Sequence, residues 1–192
     1  MLPDTPLKIW TENLLTTLLP ENYVYHNWEH TLYVAEKSLE IGQAQKLTEK
    51  DKRLLFAASL LHDVGYICKY KGHEKESCEV AKNNLRTFGY SEEETDEILD
   101  LIMATKTPQH PKNMLQRVIC DADLEYLGTE NAEAFSQKLF KELHSLNPDL
   151  SLEEWNQNQV SFISRHHYHT AYCKKNKEPL KQQYLNKIMK NS

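Results

Sequence analysis

The chain has little glycine and no closely spaced cysteines. Five glycines in 192 residues leave little material for phosphate-cradling loops or flexible linkers. The four cysteines, Cys68, Cys78, Cys120 and Cys173, form no C-x-x-C pair. This spacing excludes a zinc ribbon and argues against a disulfide framework in a chain of this size. Reduced thiols of this kind are typical of a cytoplasmic protein, which is the localisation that we expect.

A long hydrophobic run is also missing. The longest run, Leu54 to Leu61, has eight residues including Ser59, whereas a helix that crosses a bilayer needs about 20. The first residues lack the cationic lead and apolar stretch of a signal peptide, so we expect none. These absences predict a protein without a membrane partner.

The chain has no excess of positive charge. Its 23 Lys and Arg residues face 28 Asp and Glu residues, giving a net charge of −5, which argues against general binding to nucleic acids. Residues 164–192 are the exception, with seven basic residues and one acid. A solvated terminal helix accounts for most of these charges, but Arg165 and His166 follow an apolar pair and are candidates for contacting an anionic substrate.

Strand signals are absent, and apolar residues instead recur at spacings of three and four, the period of helices. Several of these segments follow a residue that can accept hydrogen bonds from the first backbone N–H groups of a helix: Asp4 or Thr5 for the first segment, and Thr48, Ser91 and Ser151 for later ones. One predicted helix runs from about residue 112 to 127 and stops at Gly128. We predict an all-α bundle of about seven to nine helices, folded as a single domain over residues 1–192.

The nine histidines are clustered along the chain. His26 and His30 lie four apart, His62 precedes Asp63, and three more lie at positions 166, 167 and 169. Imidazole is the commonest side-chain metal ligand, and a mixture of imidazoles and carboxylates suits cations such as Mn, Fe, Zn or Mg. The clusters therefore suggest a metal site.

The pair His62 and Asp63 closes an apolar helix, where burial of two polar groups is costly without partners. A bound cation would satisfy both groups, and Gly65 would let the backbone bend away after them. A surface pair, or a buried histidine hydrogen-bonded to its neighbour, is the commoner explanation for an isolated dipeptide of this kind. The order of the chain favours the metal site, because His30 starts one helix and Asp123 lies within a later apolar one.

Three blocks of sequence share a pattern with a known family. They are Tyr25–Thr31, Leu60–Tyr66 and Cys120–Gly128, with Gly72–Ser77 between the last two. In this order and spacing the chain resembles the HD superfamily of metal-dependent phosphohydrolases, in which one His, a His-Asp pair and a distant Asp lie on a helical bundle. The resemblance covers roughly residues 22–128, and residues 129–192 follow only loosely as C-terminal helices.

Carried over by position, the resemblance implies that His30, His62, Asp63 and Asp123 bind a divalent cation such as Mn, Mg, Fe, Zn, Co or Ni. Asp121 competes for the last place, but Asp123 follows a small apolar residue, as the family's final ligand usually does. Asp121 would then orient a histidine or a water from further out. We expect one metal, and a second is left open because further histidines follow the His-Asp pair.

The implied activity is hydrolysis of a phosphomonoester or phosphodiester by a metal-activated water, on a small substrate that we expect to be a nucleotide. Asp63 would orient the water, and His73 or Glu74 would act as the acid. The candidate substrate contacts are His26, Lys106, His110, Asp121, Arg165 and His166. Three of these residues have simpler alternatives. His26 could cap a helix, Lys106 could lie exposed on the surface, and Asp121 could be a solvated or capping carboxylate.

Three other functions are compatible with the same residues. A few members of the superfamily are diiron oxygenases, which iron content and oxygen consumption would identify. A regulatory module could keep the site only to bind a nucleotide without turnover, and a helical protein could carry these histidines by coincidence. The sequence does not identify the substrate, the metal or the oligomeric state.

Overall fold

The computed structural model describes residues 2–191, and of Asn191 the backbone alone. In this part of the chain ten α-helices form, with no β-strand. They are α1 Pro6–Leu18, α2 Trp28–Ala44, α3 Glu49–Leu61, α4 His73–Asn84, α5 Glu92–Ala104, α6 Met114–Asp123, α7 Ala132–Leu146, α8 Leu152–Arg165, α9 Ala171–Asn176 and α10 Glu178–Asn191. Short 3-10 turns lie at Val64–Ile67, Leu85–Phe88 and Glu125–Gly128. The all-α prediction is confirmed.

The predicted helix starts coincide with observed caps. Thr5 and Ser151 each accept a hydrogen bond from the backbone N–H three residues later. Thr48 and Ser91 do the same within complete capping boxes, in which a carboxylate also accepts from the cap's own N–H. These caps satisfy backbone donors that a helix leaves free at its start.

The number of α-helices differs from the predicted seven to nine. The helix predicted to reach residue 127 ends as an α-helix at Asp123, and the chain continues as the 3-10 turn Glu125–Gly128. The C-terminal segment is divided into α9 and α10, with Lys177 between them. Pro179 lies in the first turn of α10, where proline is tolerated, whereas it would disrupt a continuous helix.

The core is built around α2, which packs against both α3 and α6. The second half of α3 is buried on all sides, from Leu54 to Leu61. A second apolar cluster includes Leu127, Ile163 and Leu185, and joins α8 and α10 to the turn after α6. None of the described helices is long and apolar enough to cross a membrane.

Gly65 sets the path of the chain after the His-Asp pair. A Cβ atom at this position would lie 2.0 Å from the carbonyl oxygen of His73 and 2.7 Å from the backbone nitrogen of Ser77. The Gly65 N–H also donates to Ser77 Oγ at 2.8 Å. Only glycine permits this approach, so the turn Val64–Ile67 packs directly on the start of α4 and brings His73 beside Asp63.

Candidate metal centre

Four side chains from separate parts of the chain converge between α2, α3 and α6. His30 Nε2 lies 3.4 Å from Asp123 Oδ1 and 3.5 Å from Asp63 Oδ2. His62 Nε2 lies 3.2 Å from Asp63 Oδ2 and 3.6 Å from Asp123 Oδ1. In His30, His62 and Asp123, one candidate ligand atom each lies within 4.8 Å of the others. The structure therefore brings together the four residues that the resemblance implied.

The chemistry of this cluster fits a divalent cation. Among the described residues, His30 Nε2, His62 Nε2 and Asp63 Oδ2 are buried atoms without a hydrogen-bond partner. Each such atom costs about 1–3 kcal/mol if it stays unsatisfied. One cation of the type that accepts nitrogen and oxygen ligands would satisfy all three atoms together.

Neighbouring groups orient the candidate ligands. His62 Nδ1 lies 2.8 Å from the carbonyl oxygen of Ser59. In the neutral form of the ring, which a bound cation requires, donation to this oxygen would leave the lone pair of Nε2 facing the cluster. Asp63 uses its second oxygen, Oδ1, which lies 3.3 Å from His73 Nε2. His73 Nδ1 is in turn 3.2 Å from the Tyr70 carbonyl oxygen. Asp63 is thus held between the cluster and His73.

The acids and imidazoles also determine each other's charge. Burial opposes the charged form of His62, but the carboxylates of Asp63 and Asp123 outweigh it and hold the pKa of this imidazole well above 6.5. Against the same effect of burial, the imidazoles keep the pKa of Asp63 well below its usual value and that of Asp123 at about 2. Both carboxylates are therefore anionic at neutral pH, as cation binding requires.

A cavity of about 400 Å³ opens beside the cluster, a volume suited to a small molecule. Its polar wall is formed by His26, Asp63, His73, Glu74 and Asp123. The rest of its lining is largely aromatic and apolar, with two amides and two threonines: Tyr25, Tyr66, Tyr70, Tyr126, Leu124, Leu139, Leu143, Trp155, Phe162, Asn158, Gln159, Thr105 and Thr107. The candidate ligands Asp63 and Asp123 are thus accessible from a partly enclosed, mostly apolar space.

Sequence reasoning missed Glu142, which is completely buried on α7. Its Oε2 accepts hydrogen bonds from the backbone N–H groups of Tyr25 and His26, at 2.8 and 2.9 Å. Its Oε1 is in close contact with His26 Nδ1. An acid in register with Phe135 and Leu139 on the apolar face of a helix is the signal that could have revealed it.

His26 itself lies on the wall of this cavity. Its Nε2 is 3.4 Å from the hydroxyl of Tyr66, and the two rings pack with centroids 4.4 Å apart. Glu142 therefore holds the edge of the ring at Nδ1 and Tyr66 packs against the ring, which leaves His26 in a defined orientation.

Three of the remaining candidate contacts lie together and the others lie apart from them. His110, Arg165 and His166 line a second cavity, of about 540 Å³, together with His167 and His169. Lys106 is exposed and lines neither cavity, in agreement with the simpler alternative for this residue.

Asp121 faces away from the cluster and lines neither cavity. Its carboxylate accepts hydrogen bonds from His169 N at 2.7 Å, Thr170 N at 2.8 Å and Thr170 Oγ1 at 2.7 Å. Side chains two residues apart on a helix point about 200° away from each other. The carboxylate of Asp121 therefore points away from that of Asp123, to the loop between α8 and α9. The position expected for Asp121, beside the substrate or a ligand histidine, is therefore wrong, because its carboxylate lines neither cavity and its hydrogen bonds fix this loop.

A family model and several solved structures match this chain. The family model described as HD domain matches residues 27–125, just over half of the chain. The crystal structure of Bacillus subtilis YpgQ in complex with ADP is similar over 97% of this chain and 93% of that chain, with 19% identity and a TM-score of 0.67. A predicted HD superfamily hydrolase from an uncultured Thermotogales bacterium matches over 95% and 89%, with 18% identity and a TM-score of 0.63. At these identities the likeness shows a shared fold.

A sequence relative covers a smaller region. An uncharacterized protein from Clostridium beijerinckii is 34% identical over an alignment of 77 residues, and the match covers 37% of this chain and 46% of the relative. The match thus spans less than half of that relative's own length.

Proposed function

Because the chain belongs to the HD domain family, we propose that it is a metal-dependent phosphohydrolase that acts on a small phosphate ester, with a nucleotide as the foremost substrate. The observation that carries this proposal is the cluster of buried, unpartnered nitrogen and oxygen atoms of His30, His62 and Asp63, with Asp123 beside them, on the wall of a cavity. A cluster of this kind has no use in packing alone, since apolar side chains would fill the space at lower cost.

His30, His62, Asp63 and Asp123 would hold the cation, with Mn, Mg, Fe, Zn, Co and Ni as candidates. When bound, the cation would lower the pKa of a water and offset charge on the phosphoryl oxygens. One cation is favoured, because the described residues contain a single group of at least three suitable ligands within reach of one another. His73 would keep Asp63 in place through its Oδ1, so that the carboxylate can orient the attacking water.

His26 is the best-placed proton donor for the leaving oxygen. Glu142 contacts its Nδ1, and its ring lines the cavity beside the cluster. His73, the acid expected from the sequence, has both ring nitrogens close to acceptors, at Asp63 and Tyr70. Glu74 also lines the cavity and is buried. An imidazole oriented by a buried carboxylate is a common arrangement for general acid catalysis.

The lining of the first cavity supports a nucleotide as substrate. Tyr70, Tyr126, Trp155 and Phe162 offer aromatic surfaces for a planar base, and the amides of Asn158 and Gln159 offer donors and acceptors for its edge. The similar structure of Bacillus subtilis YpgQ contains ADP, which agrees with this choice.

The proposal is tested by removing candidate ligands. We expect His62→Ala and Asp63→Ala to lose both bound metal, measured by elemental mass spectrometry, and phosphatase activity by at least about 100-fold. Activity would be screened on a panel of phosphorylated metabolites with Mn, Mg, Fe, Co and Ni supplied in turn. His144→Ala is the matched control, because His144 is exposed and its Nδ1 lies 3.0 Å from the Leu150 carbonyl oxygen, outside the cavity. Full activity of either cluster variant in the presence of a chelator would overturn the proposal.

A further inference from the structure

The second cavity differs in charge from the first. Its lining carries one arginine and four histidines, and no Asp or Glu. These residues are Arg165, His110, His166, His167 and His169. The first cavity, by contrast, presents the carboxylates of Asp63, Glu74 and Asp123. The second cavity is therefore suited to an anion, whereas the first is suited to a cation.

The two cavities are neighbours. Thr107, Leu124 and Phe162 contribute to the lining of both. Leu124 directly follows Asp123, the candidate metal ligand on α6. A substrate with one phosphate at the cluster could therefore place another part of itself in the second cavity without leaving a continuous surface.

His166 provides a buried donor on the wall of the second cavity. The residue is 9% exposed, and its Nδ1 lies 3.4 Å from Nζ of the fully buried Lys181, which also donates to the His166 carbonyl oxygen at 2.6 Å. An ammonium group can only donate, so Nδ1 accepts and the ring proton is on Nε2. Burial and Lys181 lower the pKa of His166 to about 3, so the ring stays neutral.

This Nε2–H donor has no acceptor among the described residues. A buried donor without a partner costs about 1–3 kcal/mol, and a ligand oxygen in the adjoining cavity would remove that cost. Lys181 is paired with Glu178 at 2.9 Å, so its own charge is already balanced. Of the two ring nitrogens of His166, Nδ1 is thus paired with Lys181, and Nε2 is left without a partner among the described residues.

Arg165 adds a charge that is already oriented. Its Nε and Nη2 donate to the carbonyl oxygen and the hydroxyl of Ser161, at 3.0 and 3.1 Å. A guanidinium has five N–H donors, so donors are left for a ligand. The loop that follows Arg165 is fixed by the bonds from His169 and Thr170 to Asp121. The basic side chains of this cavity therefore stand on a constrained backbone.

We propose that the second cavity binds a second phosphate group of the substrate, one that is not hydrolysed. This inference rests on the proposed function and narrows it to compounds with at least two phosphate groups. Arg165 supplies the positive charge and His166 a neutral donor, while the phosphate to be cleaved lies at the His30 and Asp123 cluster.

The first test measures binding without metal or turnover. Inorganic pyrophosphate would be titrated calorimetrically into the chelator-treated protein, as wild type, Arg165→Gln and Arg86→Gln. Arg86 is an exposed arginine in the turn Leu85–Phe88 and lines neither cavity, so it is a matched control. Loss of charge-assisted bonds from Arg165 should weaken binding about tenfold or more, and the control should bind like wild type.

The second test compares KM for adenosine 5′-diphosphate and adenosine 5′-monophosphate with Mn present. Arg165→Gln should raise KM for the diphosphate about tenfold and leave that for the monophosphate unchanged. Absence of pyrophosphate binding by wild type, or equal binding by the two arginine variants, would overturn the inference. The binding test needs no catalysis, so the two proposals can fail separately. Pyrophosphate binding can be absent while the His62→Ala result supports the proposed function, and pyrophosphate can bind through Arg165 while His62→Ala keeps full activity.

Discussion

At the scale of single residues, the contact between His26 and Glu142 gives the proposed mechanism its most specific feature. A completely buried carboxylate is costly unless its oxygens are satisfied. Glu142 meets this condition with two backbone N–H groups and the His26 ring. The carboxylate therefore both fixes the start of the segment before α2 and orients the imidazole.

This arrangement predicts a loss of activity that depends on the leaving group. In His26→Gln, kcat for a nucleoside monophosphate should fall about 100-fold or more, because its alkoxide leaving group needs a proton. For p-nitrophenyl phosphate, whose leaving group is a weak base, kcat should change little. Glu142→Gln should show the same pattern to a smaller degree, since the ring keeps its position but loses the carboxylate.

Steady-state kinetics on the two esters, with His144→Gln as the control, measure this difference. An equal loss on both esters would mean that His26 supports the fold of the site and does not donate the proton.

At the scale of elements, Gly128 couples the turn after α6 to the junction between α9 and α10. A Cβ atom at Gly128 would lie 2.4 Å from the carbonyl oxygen of Lys177. Lys177 also pairs with Glu125 in the same turn. This contact with backbone atoms cannot be relieved by rotating a side chain.

Gly128→Ala should therefore destabilise the protein by about 1–3 kcal/mol, as overpacking of a well-packed core usually does. Gly42→Ala is the contrasting variant, because a Cβ there meets only side-chain atoms, the nearest at 3.4 Å. Within helix α2 an alanine should be neutral or stabilising by up to about 1 kcal/mol. Urea unfolding measures both changes. Equal effects of the two substitutions would contradict the close approach at Gly128.

Helix starts were predictable from the sequence because a cap is a local interaction. Thr48 and Ser91 need only the carboxylate three residues later to form a capping box. Helix ends were less predictable, because they depend on distant contacts. The change at Asp123 from α-helix to a 3-10 turn accompanies packing of Gly128 on Lys177, and no pattern near residue 123 encodes that contact.

At the scale of the whole molecule, the sequence could name candidate ligands but not their partners. His30, the His62 and Asp63 pair, and Asp123 stand out because polar residues interrupt apolar helices in a known order. Glu142 contacts His26 from 116 positions away, a separation over which sequence spacing carries no information. The division of basic and acidic residues between two cavities depends likewise on how α8 and its following loop lie against α6.

The cluster also predicts how the whole fold should respond to metal. Its ligands come from α2, α6 and the end of α3, so a bound cation would stabilise the native state and not the unfolded chain. At a free Mn concentration 100 times its Kd the gain is about 2.7 kcal/mol, which for a chain of this length raises Tm by roughly 5–10 °C.

Differential scanning calorimetry of chelator-treated protein, before and after addition of Mn, measures this shift. Asp123→Asn should lose most of it, because an amide replaces an anionic ligand. Asp121→Asn is the control, since it lies on the same helix but bonds to the loop between α8 and α9. Without metal, Asp121→Asn should have a lower Tm than wild type, because His169 and Thr170 lose the carboxylate to which they donate. Addition of Mn should still raise its Tm as much as that of wild type. A full shift in Asp123→Asn, or none in Asp121→Asn, would place the cation elsewhere.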